Sequence, residues 1–70
     1  MSSDIKIKTT YIELDSLLKY ANLVNSGGEA KIYIKDGLVK LNGEVCTMRK
    51  KKIYPGDKVS FNSNEINIIG

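Results

Sequence analysis

The spacing of the apolar residues changes twice along the chain, and this change limits the possible folds more than any other feature. Between Asp4 and Thr9 apolar and charged residues alternate, which is the period of a half-buried strand, and the lysines suit a sheet edge. A stripe at helical spacing follows, made of Leu14, Leu17, Leu18 and Ala21. A period of two returns from residue 39 onward. The pattern therefore predicts a chain that mixes strands with short helices.

Two helices are predicted before residue 39. We expect Asp15 or Thr10 to cap the first helix. Ser26 and Glu29 have the spacing of a capping box, in which each side chain satisfies a free backbone N–H at a helix start. The second helix should run from Gly27 to Lys35 and end at Gly37, which suits the left-handed position after a helix. Its inward-facing residues should be Ala30, Tyr33 and Ile34.

Turn signals divide the second half of the chain into strands. Asn42-Gly43 is a strong hairpin signal, and Pro55-Gly56-Asp57 and Asn62-Ser63-Asn64 are typical of turns. The predicted strands between these turns contain Val39 and Leu41, then Glu44 to Cys46, then Val59 and Phe61, then Ile66 to Ile69. The element order is β-α-α-β-β-β-β. We predict one α+β domain over residues 1–70, with two short helices packed on a small, mostly antiparallel sheet.

The residue types that are missing exclude several functions. The chain has 70 residues, no His and a single Cys, Cys46. It therefore lacks the commonest general base and metal ligand, and it cannot form an internal disulfide. We expect no enzyme activity, no metal or cofactor, no small-molecule substrate and no membrane association. A reduced Cys46 and the absence of a signal-peptide core at the N-terminus predict a cytoplasmic protein, with Cys46 packed as a small apolar residue.

The positive charge is concentrated in the middle of the sequence. Residues 31–60 carry eight Lys or Arg against three Asp or Glu, a net of +5, whereas residues 1–30 and 61–70 each have a net of −1. The excess peaks at Arg49-Lys50-Lys51-Lys52. Such a cluster favours a polyanionic partner, although a solvated loop or a lysine-protected strand edge would have the same composition.

A second candidate anion site lies at the start of the predicted second helix. Gly27 and Gly28 would leave the free N–H groups of that helix open to a phosphate, and Lys31 lies one turn further along. The alternative is that the two glycines only shape the loop between the helices. Lys31 and Lys35 are four residues apart and share an outer helix face.

Several of these residues together resemble the S-four RNA-binding domain, which is named after ribosomal protein S-four. The resemblance covers roughly residues 12–61, and the segments that carry it are Leu14-Asp15-x-x-Leu18, Ser26-x-x-x-Ala30-x-x-x-Ile34-x-x-Gly37-x-Val39-x-Leu41-Asn42-Gly43 and Pro55-Gly56-Asp57-x-Val59. The pairing of Ser26-Gly27-Gly28-x-Ala30-Lys31 with Arg49-x-x-Lys52-x-x-x-Gly56-Asp57 is similar to the small standalone bacterial YaaA/YbcJ-type members. The resemblance implies an S-four-like fold with an αL motif.

The resemblance also implies binding to ribosomal RNA or a role in ribosome assembly. Two positions depart from the family pattern, because Gly27 and Glu13 stand where basic residues are usual. Tyr33 and Phe61 are predicted in the core. Tyr20 and Tyr54 could lie exposed beside basic residues, but we expect them to be partly buried. We therefore expect phosphate and shape recognition of structured RNA by a monomer. The candidate RNA-binding residues are Ser26, Gly27, Gly28, Lys31, Lys35, Lys40, Arg49, Lys50, Lys51 and Lys52.

Two other classes of function stay open at this stage. A ubiquitin-like sulfur carrier has a similar length and ends in glycine, as this sequence does at Gly70, although Ile68-Ile69 before it is typical of a strand. A protein-binding adaptor would use the exposed edge strand at residues 5–9.

Overall fold

A computed structural model describes residues 2–70 of the chain. Within these residues the two helices follow one another and are flanked by strands, as the periodicity predicts. In chain order they are β1 (Ser2–Lys6), β2 (Ile12–Glu13), α1 (Leu14–Tyr20), α2 (Gly27–Lys35), β3 (Val39–Leu41), β4 (Glu44–Val45), β5 (Lys52–Ile53), β6 (Lys58–Phe61) and β7 (Asn64–Ile69).

Five of the strands form one sheet in the order β1-β7-β6-β3-β4. Only the pair β1–β7 is parallel, and the other three pairs are antiparallel, which confirms the predicted mostly antiparallel sheet. Strand β1 lies at an edge, as its lysines indicate. It begins and ends earlier than the predicted 4–9, because its pairing with β7 runs from Ser2 to Lys6. Beyond the strand, the N–H of Ile7 still donates a hydrogen bond to the carbonyl of Ile69.

The remaining strands, β2 and β5, form a separate antiparallel ribbon that the sequence did not predict. Each has two residues, which is too short to show a period. Ile12 lies opposite Ile53 in this ribbon, and Ile53 is completely buried. The ribbon therefore joins the residues before α1 to the end of the run Arg49–Lys52 through the contact between Ile12 and Ile53.

The core lies between the two helices and one face of the main sheet. Burial of these side chains is the main favourable term for so small a domain. The buried apolar residues are Ile7, Leu14, Leu17, Leu18, Val24, Ala30, Ile34, Val39, Ile53, Val59, Phe61, Ile66 and Ile68. Tyr33 and Cys46 are half-buried and pack against this cluster, and the ring of Tyr33 lies 5.1 Å from that of Phe61. The predictions for Cys46 and Phe61 are confirmed, whereas Tyr33 lies at the edge of the core and not inside it.

The second helix begins and ends where its capping residues predict. Ser26 Oγ accepts a hydrogen bond from the backbone N–H of Glu29 at 3.2 Å, which is one half of the predicted capping box. The other half is wrong, since the Glu29 carboxylate accepts from the N–H of Asn25 at 3.4 Å and not from Ser26. At the other end Gly37 has a φ of +77°. Its N–H donates to Ile34, and the next N–H donates to Tyr33, which is the Schellman arrangement.

The predicted hairpin and turns are also present. Asn42 and Gly43 both have positive φ, at 52° and 88°, which is the geometry of a type I′ turn between β3 and β4. Gly56 has a φ of 99° in the Pro55-Gly56 turn before β6. Asn62 and Ser63 make the tight turn between β6 and β7, both with positive φ. Local sequence chemistry therefore places the turns between β3 and β4, before β6, and between β6 and β7.

Candidate nucleic-acid interface

The four consecutive cations lie on the surface between β4 and β5, and we call Arg49–Lys52 the basic segment. All four residues are exposed. Arg49 and Lys50 form a turn that is closed by a hydrogen bond from the N–H of Lys51 to the carbonyl of Met48, and Lys52 begins β5. The segment is thus a turn followed by a strand, and its four side chains do not all face one direction.

The backbone of the basic segment caps the first helix. The N–H of Leu14 donates to the carbonyl of Lys51 at 2.9 Å, and the N–H of Asp15 donates to the carbonyl of Arg49 at 3.0 Å. These carbonyls satisfy two of the free N–H groups at the helix start. The N-cap residue is Glu13, which makes no side-chain capping bond, so the prediction of Asp15 or Thr10 at the N-cap is wrong. The Asp15 side chain still satisfies a free N–H of the first turn, because its Oδ1 accepts from the N–H of Ser16 at 2.7 Å.

Lys50 is held by two carboxylates at the start of α1. Its Nζ lies 3.2 Å from Oδ2 of Asp15 and 3.5 Å from Oε1 of Glu13. The hydrogen bond and the charge of Asp15, followed by the charge of Glu13, raise the pKa of Lys50 above its usual value. The Asp15 side chain is only 9% exposed, whereas that of Lys50 is 58% exposed. The charge of Lys50 is therefore offset locally, and Glu13, which departs from the family pattern, takes part in this contact.

The other three cations of the basic segment make no ion pair with any residue in the range 2–70. Lys52 instead places its Nζ 5.0 Å from the ring centre of Tyr11. Tyr11 also contacts Tyr54, with ring centres 5.9 Å apart and planes inclined by 49°. Arg49, Lys51 and Lys52 therefore carry positive charge that no carboxylate in residues 2–70 offsets, and Lys52 lies beside an aromatic ring.

The exposure of the tyrosines differs from the expectation drawn from the sequence. Tyr11 is 38% exposed and Tyr54 is 44% exposed, so the expectation that Tyr54 is partly buried is wrong. The same expectation is wrong for Tyr20, which is 59% exposed at the end of α1. For Tyr11 and Tyr54 the cause is the ribbon of β2 and β5. Its inward positions are taken by Ile12 and Ile53, so these two tyrosines, which are the next residues along, point outward.

The second predicted anion site is sterically open. A Cβ atom at Gly27 would have no neighbour within 4 Å, and one at Gly28 would meet only Ser26 Oγ at 3.9 Å. The first turn of α2 can therefore be approached from outside at both glycines. Lys31 and Lys35 are exposed on the same helix, on the side away from the buried Ala30 and Ile34.

The remaining predicted residue, Lys40, lies on a different surface. It pairs with Val45 and Ser60 across β3, and it alternates with the buried Val39, so it occupies the sheet face opposite the helices. The ten candidate residues are therefore distributed over the basic segment, α2 with its start, and the outer face of the sheet. Among residues 2–70, hydrogen bonds and ion pairs connect the basic segment to the start of α1, and none connects it to the other two surfaces.

Other chemistry finds little support in the described part of the chain. Among residues 2–70, no three His, Cys, Asp or Glu side chains lie close enough together to hold a metal ion. None of the helices in this range has the length and apolar character required to cross a membrane. Ile68 and Ile69 belong to β7, and α2 begins at Gly27, neither of which fits the sulfur-carrier alternative.

Sequence comparison supports the resemblance that the motifs indicate. The family model of the S4 domain, which is the S-four domain, matches residues 5–69. The chain belongs to the S4-domain family. The match extends beyond the roughly 12–61 covered by the motifs, since it includes the end of β1 and all of β7.

Two curated bacterial proteins align over most of their length. YbcJ of Escherichia coli (strain K12) is 39% identical over 62 residues, which are 89% of this chain and 89% of YbcJ, and its name assigns it provisionally to RNA-binding proteins. RlbA of Bacillus subtilis (strain 168) is 39% identical over 61 residues, which are 87% of this chain and 86% of RlbA. The name of RlbA assigns it provisionally to ribosome maturation.

Two solved structures share the fold of this S4-domain protein. The solution structure of E. coli YbcJ superposes with a TM-score of 0.70 at 35% identity, covers 99% of this chain and 86% of YbcJ, and is described as containing an αL motif involved in RNA binding. The 30S ribosomal protein S4e of Thermoplasma acidophilum superposes with a TM-score of 0.68 at 25% identity, over 83% of this chain and 31% of S4e. These likenesses confirm the predicted S-four-like α+β fold.

Proposed function

We propose that this protein is a non-catalytic RNA-binding protein that holds structured RNA through phosphate contacts. The observation that carries the proposal is the basic segment, whose backbone is hydrogen-bonded to the start of α1 while Arg49, Lys51 and Lys52 make no ion pair within residues 2–70. Cations that no carboxylate already neutralises can bind phosphates and release counterions on doing so, and the anchored backbone fixes where these side chains start.

Lys50 has a different part in this proposal. Two carboxylates within 3.5 Å already offset its charge, so it positions the basic segment against α1 and contributes little to phosphate binding. This division of roles follows from the ion pairs, because Arg49, Lys51 and Lys52 make none within residues 2–70.

The start of α2 is the second part of the proposed surface. Ser26, Gly27 and Gly28 leave room for a phosphate near the helix N-terminus, and Lys31 and Lys35 add charge along the exposed side of the helix. Lys40, on the outer sheet face, would touch only an RNA that extends around the edge of the domain.

Ribosomal RNA is the proposed target, and ribosome assembly in the cytoplasm is the proposed setting. The names of YbcJ and RlbA, which assign these relatives to RNA binding and ribosome maturation, support this choice. We propose that the protein acts as a monomer without cofactor or small-molecule substrate.

Catalysis has no visible set of residues to carry it. The chain has no His. Two of its carboxylates have structural partners, since Asp15 pairs with Lys50 and Asp57 binds the N–H of Tyr54. These contacts account for both carboxylates in the fold without a catalytic role.

Crosslinking in cells, followed by sequencing of the bound RNA, tests the proposal. We expect enrichment of ribosomal RNA or its precursors with the wild-type protein and strong loss with the triple variant R49A/K51A/K52A. A matched control is K6A/K8A/K19A, which removes the same charge from other surfaces and should crosslink as the wild type does. Absence of RNA above background, or equal crosslinking by both triple variants, would contradict the proposal.

A further inference from the structure

The ribbon of β2 and β5 presents two tyrosine rings to solvent, and we call Tyr11, Lys52 and Tyr54 the tyrosine patch. Ile12 lies opposite Ile53 in the antiparallel register, so the next position along places Tyr11 opposite Tyr54 on the outward side. The ring centres are 5.9 Å apart. In the range 2–70, neither phenol hydroxyl makes a hydrogen bond. Both rings are therefore exposed, and both hydroxyls have no hydrogen-bond partner within residues 2–70.

The backbone that carries Tyr54 is fixed from several directions. Its N–H donates to Oδ2 of Asp57 at 2.8 Å, and its carbonyl accepts from the N–H of Asp57 at 3.0 Å. The following Pro55 restricts Tyr54 to extended conformations, and the N–H of Gly56 is bound to Ile68 at 2.8 Å. A ring on so constrained a backbone loses little entropy when a flat ligand stacks on it.

Lys52 brings positive charge to the tyrosine patch. Lys52 Nζ is 5.0 Å from the centre of Tyr11, and Lys52 belongs to the basic segment together with the unpaired Arg49 and Lys51. Stacking faces next to uncompensated cations suit a nucleotide, in which an aromatic base is joined to a phosphate. An apolar protein partner would gain nothing from the cations, so charge and ring placement together favour nucleic acid.

We propose that the tyrosine patch stacks an unpaired nucleobase of the RNA whose backbone the basic segment binds. This inference rests on the proposed function and makes it more specific. Bases within a helix are stacked on one another, so only a bulged, looped or terminal base can reach Tyr11 or Tyr54. The preferred ligand is then a double-helical RNA with an unpaired nucleotide next to the bound phosphates.

A pair of RNA hairpins with equal nucleotide number tests this inference. One is fully paired in its stem, and the other carries a single bulged 2-aminopurine. The wild-type protein should bind the bulged hairpin about tenfold more tightly and quench its fluorescence, since stacking of one base on an aromatic ring contributes on that order. Tyr54→Leu should lose both the preference and the quenching but still bind the paired hairpin.

Two further variants separate the ring from other effects. Tyr54→Phe keeps the ring and should behave as the wild type. Tyr20→Leu removes an exposed tyrosine that has no ring contact with the patch, and it should also bind as the wild type does. Equal wild-type affinity for both hairpins, or bulge preference retained by Tyr54→Leu, would overturn the stacking inference and leave the phosphate proposal standing. If neither hairpin binds at all, the proposed function fails and the stacking inference fails with it.

Discussion

The Asn42 side chain donates a hydrogen bond from Nδ2 to Oδ1 of Asp57 at 3.2 Å and so joins two turns that are distant in sequence. Asn42 also accepts from the N–H of Lys58 through its Oδ1 at 2.9 Å. Asp57 uses its other oxygen to hold the N–H of Tyr54. The hairpin turn of β3 and β4 is thereby fixed to the turn that precedes β6, and the position of Tyr54 depends on both.

The first prediction concerns the stability that this link provides. Asn42→Gly keeps the positive φ but removes the side-chain hydrogen bonds, and we expect a loss of about 1–2 kcal/mol in the free energy of unfolding, measured by urea titration. Combined with Asp57→Ala, the double variant should be less destabilised than the sum of the two singles. Strict additivity would show that the Asn42–Asp57 contact has no energetic weight.

A second prediction concerns the core and uses one helix for both test and control. Ile34 is completely buried in α2, whereas Ile32 in the same helix is 59% exposed. Ile34→Val should lower the free energy of unfolding by about 1 kcal/mol, and Ile32→Val by less than about 0.5 kcal/mol. Similar losses for the two variants in urea unfolding would mean that α2 does not pack through the Ile34 face.

A third prediction follows from the pKa of Lys50, which Asp15 and Glu13 raise. A lysine whose pKa is higher in the folded state stabilises the fold fully below its unfolded pKa, and this contribution disappears as the pH rises through the folded pKa. The stability difference between the wild type and Lys50→Met should thus be constant from neutral pH to about pH 10 and shrink above that.

The control for Lys50 is Lys19→Met, which removes a lysine without an ion pair in the described residues. The difference in unfolding free energy between Lys19→Met and the wild type, measured by denaturant unfolding from neutral pH to about pH 11.5, should stay small throughout. A difference for Lys50→Met that does not change over the alkaline range would contradict the ion-pair role of Lys50.

A fourth prediction separates folding from binding at the start of α2. Gly28 is helical, and an added Cβ would meet only Ser26 Oγ at 3.9 Å. Gly28→Ala should therefore stabilise the fold by about 0.5 kcal/mol, because alanine loses less backbone entropy in a helix. The same methyl group would obstruct a phosphate, so RNA affinity should fall severalfold. Unchanged affinity in a stabilised Gly28→Ala protein would remove Gly28 from the proposed surface.

The sequence predicts those parts of the fold that neighbouring residues determine. Ser26 and Gly37 indicate both ends of α2, and Asn42-Gly43 specifies a turn in which two consecutive residues have positive φ. In each case the chemistry lies within a few residues, so it can be identified without knowing the fold.

Contacts between segments that are distant in the chain could not be predicted from the sequence. The cap of α1 comes from the carbonyls of Arg49 and Lys51, and no local pattern around Leu14 indicates that these will be available. The ribbon of β2 and β5 is missed for the same reason, and with it the exposure of Tyr11 and Tyr54. The basic segment was identified from charge alone, but the engagement of Lys50 by Asp15 needs the folded structure.

The salt dependence of RNA affinity tests the central claim most directly. In a plot of log Kd against log salt for a structured ribosomal RNA fragment, R49A/K51A/K52A should lower the slope by about 2–3, since each lost phosphate contact removes about 0.7–0.9. Lys50→Met and the charge-matched K6A/K8A/K19A should keep the wild-type slope. A slope for R49A/K51A/K52A equal to that of the wild type would contradict phosphate binding by the basic segment.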